Sequence, residues 1–170
     1  MNFRKTHIFI WLLLLICACH PDKTKTVDES EIRMQTTDAS ELYFKNVRQS
    51  EYVIEEMPDA GMNVFSLDQL KLVNGLQPVI ILNWRNDMAF FFFKQPEDEE
   101  TMILITINGE KFSLDLANQR NHLELGRKIY NATLNEEEIL IGDKPIFSKP
   151  ESKDSFCRMY FDYLRLVDIR

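Results

Sequence analysis

The stretch MILITINGEKFSLDL (102–116) carries Asn108-Gly109 between two runs of alternating apolar residues. Asn-Gly is the preferred central pair of a two-residue type I′ turn, because both positions need positive φ and the twist of that turn matches the twist of paired strands. A turn of two residues fixes the register. Ile107 then faces Glu110, Ile105 faces Phe112 and Ile103 faces Leu114, while Thr106 meets Lys111 and Leu104 meets Ser113 on the other side. One face is apolar and the other mixed, as in an antiparallel sheet packed on a core from one side near its edge.

The preceding chain repeats the theme. PVIILNW (78–84) and MAFFFFK (88–94) flank Arg85-Asn86-Asp87, whose Asn and Asp tolerate the left-handed backbone of a tight hairpin. Both segments are apolar at successive positions, so they read as central strands covered on both faces. Alternation sends two of the four phenylalanines Phe90 to Phe93 to each face, which favours core packing over a ligand pocket. ELYFKNV (41–47) and SEYVIEEM (50–57) are rich in aromatic and β-branched residues and read as strands, with Pro58-Asp59-Ala60-Gly61 as a turn. Two readings compete next: Ser66-Leu67-Asp68-Gln69 as a helix capping box stopped at Gly75, or Met62 to Leu67 as a strand.

Beyond the hairpin, Asn121 reads as the cap of a helix running to about Leu134, with Glu124 at its third position. Leu125, Ile129, Ala132 and Gly126, Tyr130, Leu134 form its apolar rows, and Asn135 is its end. EEEILIG (136–142) and PIF (145–147) read as short strands and KPESKD (149–154) as a loop. In FCRMYFDYLRLVDI (156–169), Cys157, Met159, Phe161, Tyr163, Val167 and Ile169 share a strand face that Arg165 interrupts, so a terminal helical turn across DYLRLV (162–167) stays open. The expected fold is α+β: an antiparallel β-sheet built from hairpins, with one principal α-helix.

The chain has 170 residues, 45% of them hydrophobic, enough for one domain with a substantial core. Twelve Phe and five Tyr give that core bulk. Net charge is −7, and residues 1–18 contribute Arg4 and Lys5 with no acid, so their removal leaves −9. Such a body repels a phosphate backbone, which argues against nucleic acid as a partner.

MNFRKTH (1–7) carries two cations, and an unbroken apolar run follows from Ile8 to Cys19. As a helix, those twelve residues span about 18 Å against a hydrocarbon core of about 30 Å, too short to cross comfortably. His20, Pro21, Asp22 and Lys23 close the run with groups unsuited to lipid or helix. This layout is a secretory signal.

The end of the run, Ile16-Cys17-Ala18-Cys19, resembles the lipobox of bacterial lipoprotein precursors: an aliphatic residue, two small ones, then cysteine. Ile16 stands for the commoner Leu and Cys17 for Ala or Ser. The resemblance covers residues 1–19. It implies cleavage between Ala18 and Cys19, a diacylglyceryl group on the Cys19 thiol and, often, an acylated new amino terminus. Cutting before Cys17 would place bulky Ile16 at the scission. A redox pair usually spaces its cysteines as Cys-x-x-Cys, and a zinc site needs further ligands; neither pattern is present. Each buried methylene contributes about 0.8 kcal/mol, so two or three acyl chains hold a protein durably, where one is marginal.

The organisation expected is therefore a signal peptide over 1–18, a lipidated Cys19 with a flexible tether over 19–40, and one globular domain over 41–170. The tether segment HPDKTKTVDESEIRMQTTDAS (20–40) has no sustained period, and as a coil it reaches about 25 Å. An envelope-sorting signal is its competing reading.

Groups that carry chemistry are sparse. A Ser-His-Asp triad would have to use His122, with no Gly-x-Ser-x-Gly elbow beside it, so a surface residue near a helix cap is favoured. Cys157 reads as a small hydrophobe on an apolar face. The runs Glu97-Asp98-Glu99-Glu100 and Glu136-Glu137-Glu138 lack the spacing of a calcium loop and read as a solvated loop and a helix-to-strand junction. Asn131-Ala132-Thr133 matches a glycosylation sequon, taken as accidental beside a bacterial lipobox. With five glycines there is no phosphate-cradling loop, so no cofactor, no metal and no catalytic residue is expected. The expected function is that of an envelope lipoprotein, its domain in the periplasm or at the cell surface, offering a binding surface to an envelope protein, peptide or glycan. A small envelope hydrolase using carboxylates gathered by the fold is the alternative. An enzyme calls for a concave pocket with clustered titratable groups, and an interaction module for an exposed apolar patch or sheet edge.

Overall fold

The computed structural model describes residues 23–95 and 102–169. The fold is α+β, with two antiparallel four-stranded sheets. The first is a meander of β1 (Val53–Met57), β2 (Met62–Ser66), β3 (Gln77–Asn83) and β4 (Met88–Lys94) in that order. The second orders its strands β6 (Glu110–Asp115), β5 (Met102–Ile107), β7 (Ile139–Ile141) and β8 (Lys144–Pro145).

The β5–β6 register is the one its turn dictates: Ile107 pairs with Glu110, Ile105 with Phe112 and Ile103 with Leu114. Asn108 and Gly109 have φ of 47° and 82°, the two positive values a type I′ turn needs. In the first sheet Asp87 takes φ of 50° between β3 and β4, and Gly61, with φ of 69°, closes the Pro58 turn. Of the two readings of residues 62–69, the strand prevails as β2. β3 is a central strand, as expected. β4 ends its sheet instead, its free edge met by residues 34–36: the Ala89 N–H donates to the Met34 carbonyl at 2.7 Å and the Thr36 N–H to the Asp87 carbonyl at 2.8 Å.

Three stretches depart from expectation. Residues 41–47 are helical: α1 (Asp38–Tyr43) starts from a Thr37/Ser40 capping box and continues through a wider π turn over Phe44–Arg48. Phe44 swings inward onto Phe65, ring centroids 5.0 Å apart, and packing of that ring outweighs the strand propensity of its neighbours. α2 (Gln119–Leu134) begins at Asn118, whose side chain accepts from the Asn121 N–H; Asn121 itself turns back to accept from the Asp115 N–H at 2.7 Å. Its apolar rows and its end at Asn135 are as expected.

A second long helix, α3 (Pro150–Leu166), replaces the loop and strand expected over 149–169, so the fold has two principal helices where one was expected. Pro150 sits in its first turn, where a missing N–H costs nothing. Ser152, Ser155, Phe156, Met159, Tyr160, Tyr163 and Leu166 then recur at helical spacing and are buried. The helix is buried on most of its circumference, so apolar residues at odd positions imitate an alternating strand. Arg165 does not break a face; its guanidinium lies over the Tyr43 ring at 4.2 Å.

The core lies between α2, α3, the α1 segment and one face of the first sheet, and it continues into the second sheet through Ile105, Leu114 and Ile141. Phe91 is the meeting point, with Phe93, Phe156, Tyr160 and Tyr163 rings within 6 Å of it, mostly edge to face. Gly126 allows that approach: a Cβ there would stand 2.8 Å from the Phe91 ring and 3.2 Å from Tyr160.

The segment expected as a tether lies on the body from Lys23 onward. Asn131 receives the Val27 N–H on Oδ1 at 2.9 Å and donates from Nδ2 to the Val27 carbonyl at 2.8 Å. Arg127 Nη1 donates to the same carbonyl at 3.1 Å, and Tyr163 donates its hydroxyl proton to the Arg33 carbonyl at 2.7 Å. Val27 is buried.

Candidate interaction surface

The register of the first sheet sorts its side chains. Ile54, Phe65, Ile80, Phe91 and Leu82 point to the core. Val53, Met57, Met62, Val64, Val79, Ile81, Phe90 and Phe92 share the opposite face, where Glu55, Ser66, Gln77, Asn83 and Lys94 are polar exceptions. Val53 and Met57 are exposed there, Met62, Val64, Ile81 and Phe92 are half-buried, and Val79 and Phe90 are buried. This outer face is apolar because β2, β3 and β4 are apolar at successive positions while both long helices sit on one side.

An ion pair describes its curvature. Lys94 Nζ reaches Glu55 Oε2 at 3.1 Å, from the fourth strand to the first. On a flat sheet the two Cα positions would lie about 20 Å apart, farther than these side chains can bridge. Twist rolls the sheet along this diagonal, so the outer face is concave and the pair clasps it. Beside it runs the outer edge of β1, largely exposed.

Two open clefts flank α2. One of about 270 Å³ lies between the β5–β6 hairpin and the helix, lined by Glu110, Phe112, Arg127, Lys128, Asn131 and Glu137. Lys128 Nζ stands 4.4 Å over the Phe112 ring. The other, about 680 Å³, lies under the N-terminal segment beside Lys25, Asp28, Glu31 and Arg127.

The candidate chemical groups are placed as follows. His122 is wholly buried, not a surface residue: its Nδ1 accepts the Phe93 N–H at 3.1 Å, Nε2 bonds the Leu116 carbonyl at 3.1 Å, and the ring stacks on Phe92 at 3.6 Å. A carbonyl accepts only, so Nε2 carries the proton. Burial holds the imidazole below its ordinary pKa, and it caps the β4 edge as a neutral group. Cys157 lies half-buried on α3, its thiol pushed up to about 11 by burial. Glu136 takes φ of 58°, and Glu138 accepts the Asn108 N–H through its carbonyl, so this acidic run is the expected helix-to-strand junction. No group of three or more His, Cys, Asp and Glu side chains among the described residues is arranged to hold a metal ion. Both amide atoms of Asn131 are committed to Val27, which agrees with an accidental sequon. Ala18, Cys19 and the run Glu97 to Glu100 lie outside the described residues.

Sequence reasoning missed one buried charge cluster. Arg48 Nε donates to both Asp162 oxygens at 2.9 Å, and the Tyr52 hydroxyl donates to Asp162 Oδ2 at 2.7 Å. Arg48 also pairs with Glu51, which Arg158 approaches at 3.6 Å. Asp162 is 3% exposed. Its hydrogen bonds hold the guanidinium more firmly protonated, and burial followed by the carboxylate's charge raises the Tyr52 pKa. The cluster ties the chain after α1 to α3 and faces no cleft described above. Only the pairing across 114 residues identifies it, and no local pattern signals that.

The chain matches no protein-family model, no curated protein and no solved structure. No helix among the described residues is long and apolar enough to cross a membrane.

Proposed function

We propose that this is an envelope lipoprotein, acylated at Cys19, whose folded body is an interaction module using the concave outer face of the first sheet and the adjoining β1 edge. The observation that carries the reading is the run of exposed and half-buried apolar side chains from Val53 and Met57 through Met62 and Val64 to Ile81, beside the exposed edge of β1, the arrangement by which a sheet takes up an extended peptide or an apolar protein surface. An envelope protein or peptide suits it better than a glycan, because the face has few polar groups to meet sugar hydroxyls. The hydrolase alternative rests on Glu110 and Glu137, which line one cleft together. Lys128 over Phe112 in that cleft also fits ordinary packing of a lysine stem.

The test is site-specific photocrosslinking in the native host, with a benzophenone side chain at Val64 or Ile81 and, as control, at Leu104 of the second sheet. A discrete partner captured from positions 64 and 81 but not 104 supports the reading. Equal capture from all three, or none, overturns it. Intact mass of the same material tests the anchor: loss of residues 1–18 with a diacylglyceryl adduct is expected.

A further inference from the structure

We infer that the body rests directly on the membrane, through the face around Lys23 and α1, with lipid headgroups as its occupant; this deepens the reading of Cys19 as acylated and rests on it. The first ground is length. Lys23 is already part of the fold: its carbonyl accepts the Tyr130 hydroxyl at 3.2 Å and its Nζ lies 5.8 Å from the Phe161 ring. Three residues separate it from Cys19, and the four Cα-to-Cα steps span at most about 14 Å when fully extended. A coil of about 21 residues would hold the domain clear of the surface, whereas a leash of three cannot.

The second ground is the chemistry beside that attachment. Phe161, buried under Lys23, is also 5.9 Å from the Arg165 guanidinium, and Arg165 lies over the half-buried Tyr43 of α1. Leu42, next to Tyr43, is 62% exposed, and Val47 in the following turn is 49% exposed. Exposed aliphatic side chains among aromatic rings and cations are the composition that settles at a headgroup boundary, where the rings and cations prefer the interface. Some of the acids nearby are paired, Glu41 with Lys45 at 3.1 Å and both Asp162 and Glu51 with Arg48, while Asp38 at the start of α1 and Asp168 after α3 are exposed. Lys23 and Arg165, both beside Phe161, are the cations this face offers to phosphate, although the chain as a whole is acidic. The outer face of the first sheet stays available to a partner.

The test uses the full chain, processed by a lipoprotein-competent bacterial host and placed in vesicles of phosphatidylethanolamine and phosphatidylglycerol with brominated acyl chains. Once residues 1–18 are removed, Trp84 is the sole tryptophan, so the native chain reports on the tip of β3 and β4, and Leu42→Trp combined with Trp84→Phe reports on α1. About twofold quenching at position 42 with little at Trp84 is expected for side chains settled into the headgroup boundary. An acyl adduct by mass with equal quenching at both positions, or stronger quenching at Trp84, overturns the inference and leaves the anchor standing. Quenching at neither position together with a dimer by analytical ultracentrifugation means that a second copy covers the face, and also overturns it. Absence of the adduct removes the anchor itself, and the inference with it.

Discussion

His122 replaces a missing strand partner. Its Nδ1 takes the Phe93 N–H that would otherwise be left unbonded at the sheet edge, and only the neutral ring can do so. Its folded pKa lies below the ordinary value, so as pH falls the unfolded chain takes up a proton first. The stability this residue contributes is therefore complete above about pH 6.5 and declines below it, by at most about 1.4 kcal/mol per pH unit. Urea unfolding between pH 7.5 and 5 checks this, and His122→Asn, which keeps an acceptor near Nδ1 but cannot titrate, should flatten that part of the slope. Asp162 makes a sharper demand. Arg48→Met strands a buried carboxylate and should cost about 3–5 kcal/mol, while Arg48→Met with Asp162→Leu should recover much of that loss. Gly126→Ala should be destabilising by about 1–2 kcal/mol in spite of alanine's better helix propensity, because its methyl group meets the Phe91 ring.

Among the elements, the hairpins were the most legible in the sequence, since turn chemistry and alternation are local and agree with each other. Asn108-Gly109 specified five residue pairs correctly. α2 was legible except for its cap, where Asn118 and Asn121 are equally good candidates by type and only the Asp115 N–H separates them. α3 was not legible because its second half is buried at every position from Met159 to Leu164, which hides the helical period that its first half shows. The outer face was half visible: two apolar strands were read as covered on both sides, and Val79 and Phe90 are buried there, yet the side on which the helices lie is a tertiary matter. The N-terminal segment was misread for a related reason, since its polar composition hides Val27, whose partners are more than 100 residues away. That clasp yields a prediction. Asn131→Ala should speed hydrogen exchange at the Val27 amide by about five- to thirtyfold, the loss of a hydrogen bond worth roughly 1–2 kcal/mol, while the amides of β3 keep their protection.

Across the whole molecule, the two sheets share one core. The helices α2 and α3 hold the N-terminal segment, while the first sheet turns its outer face to the opposite side of the helices. In the proposed function, attachment and recognition would be separated by the helical layer, so that a membrane contact and a partner contact could coexist. The first sheet also has unlike borders. Met34 and His122 take the Ala89 and Phe93 amides of β4, whereas β1 presents an exposed backbone rim. Two copies joining rim to rim would use up both open borders at once. Growth through this sheet would then stop at a twofold pair, because no unfilled border remains to recruit a third chain, and the protein carries in its own topology a brake on fibre formation.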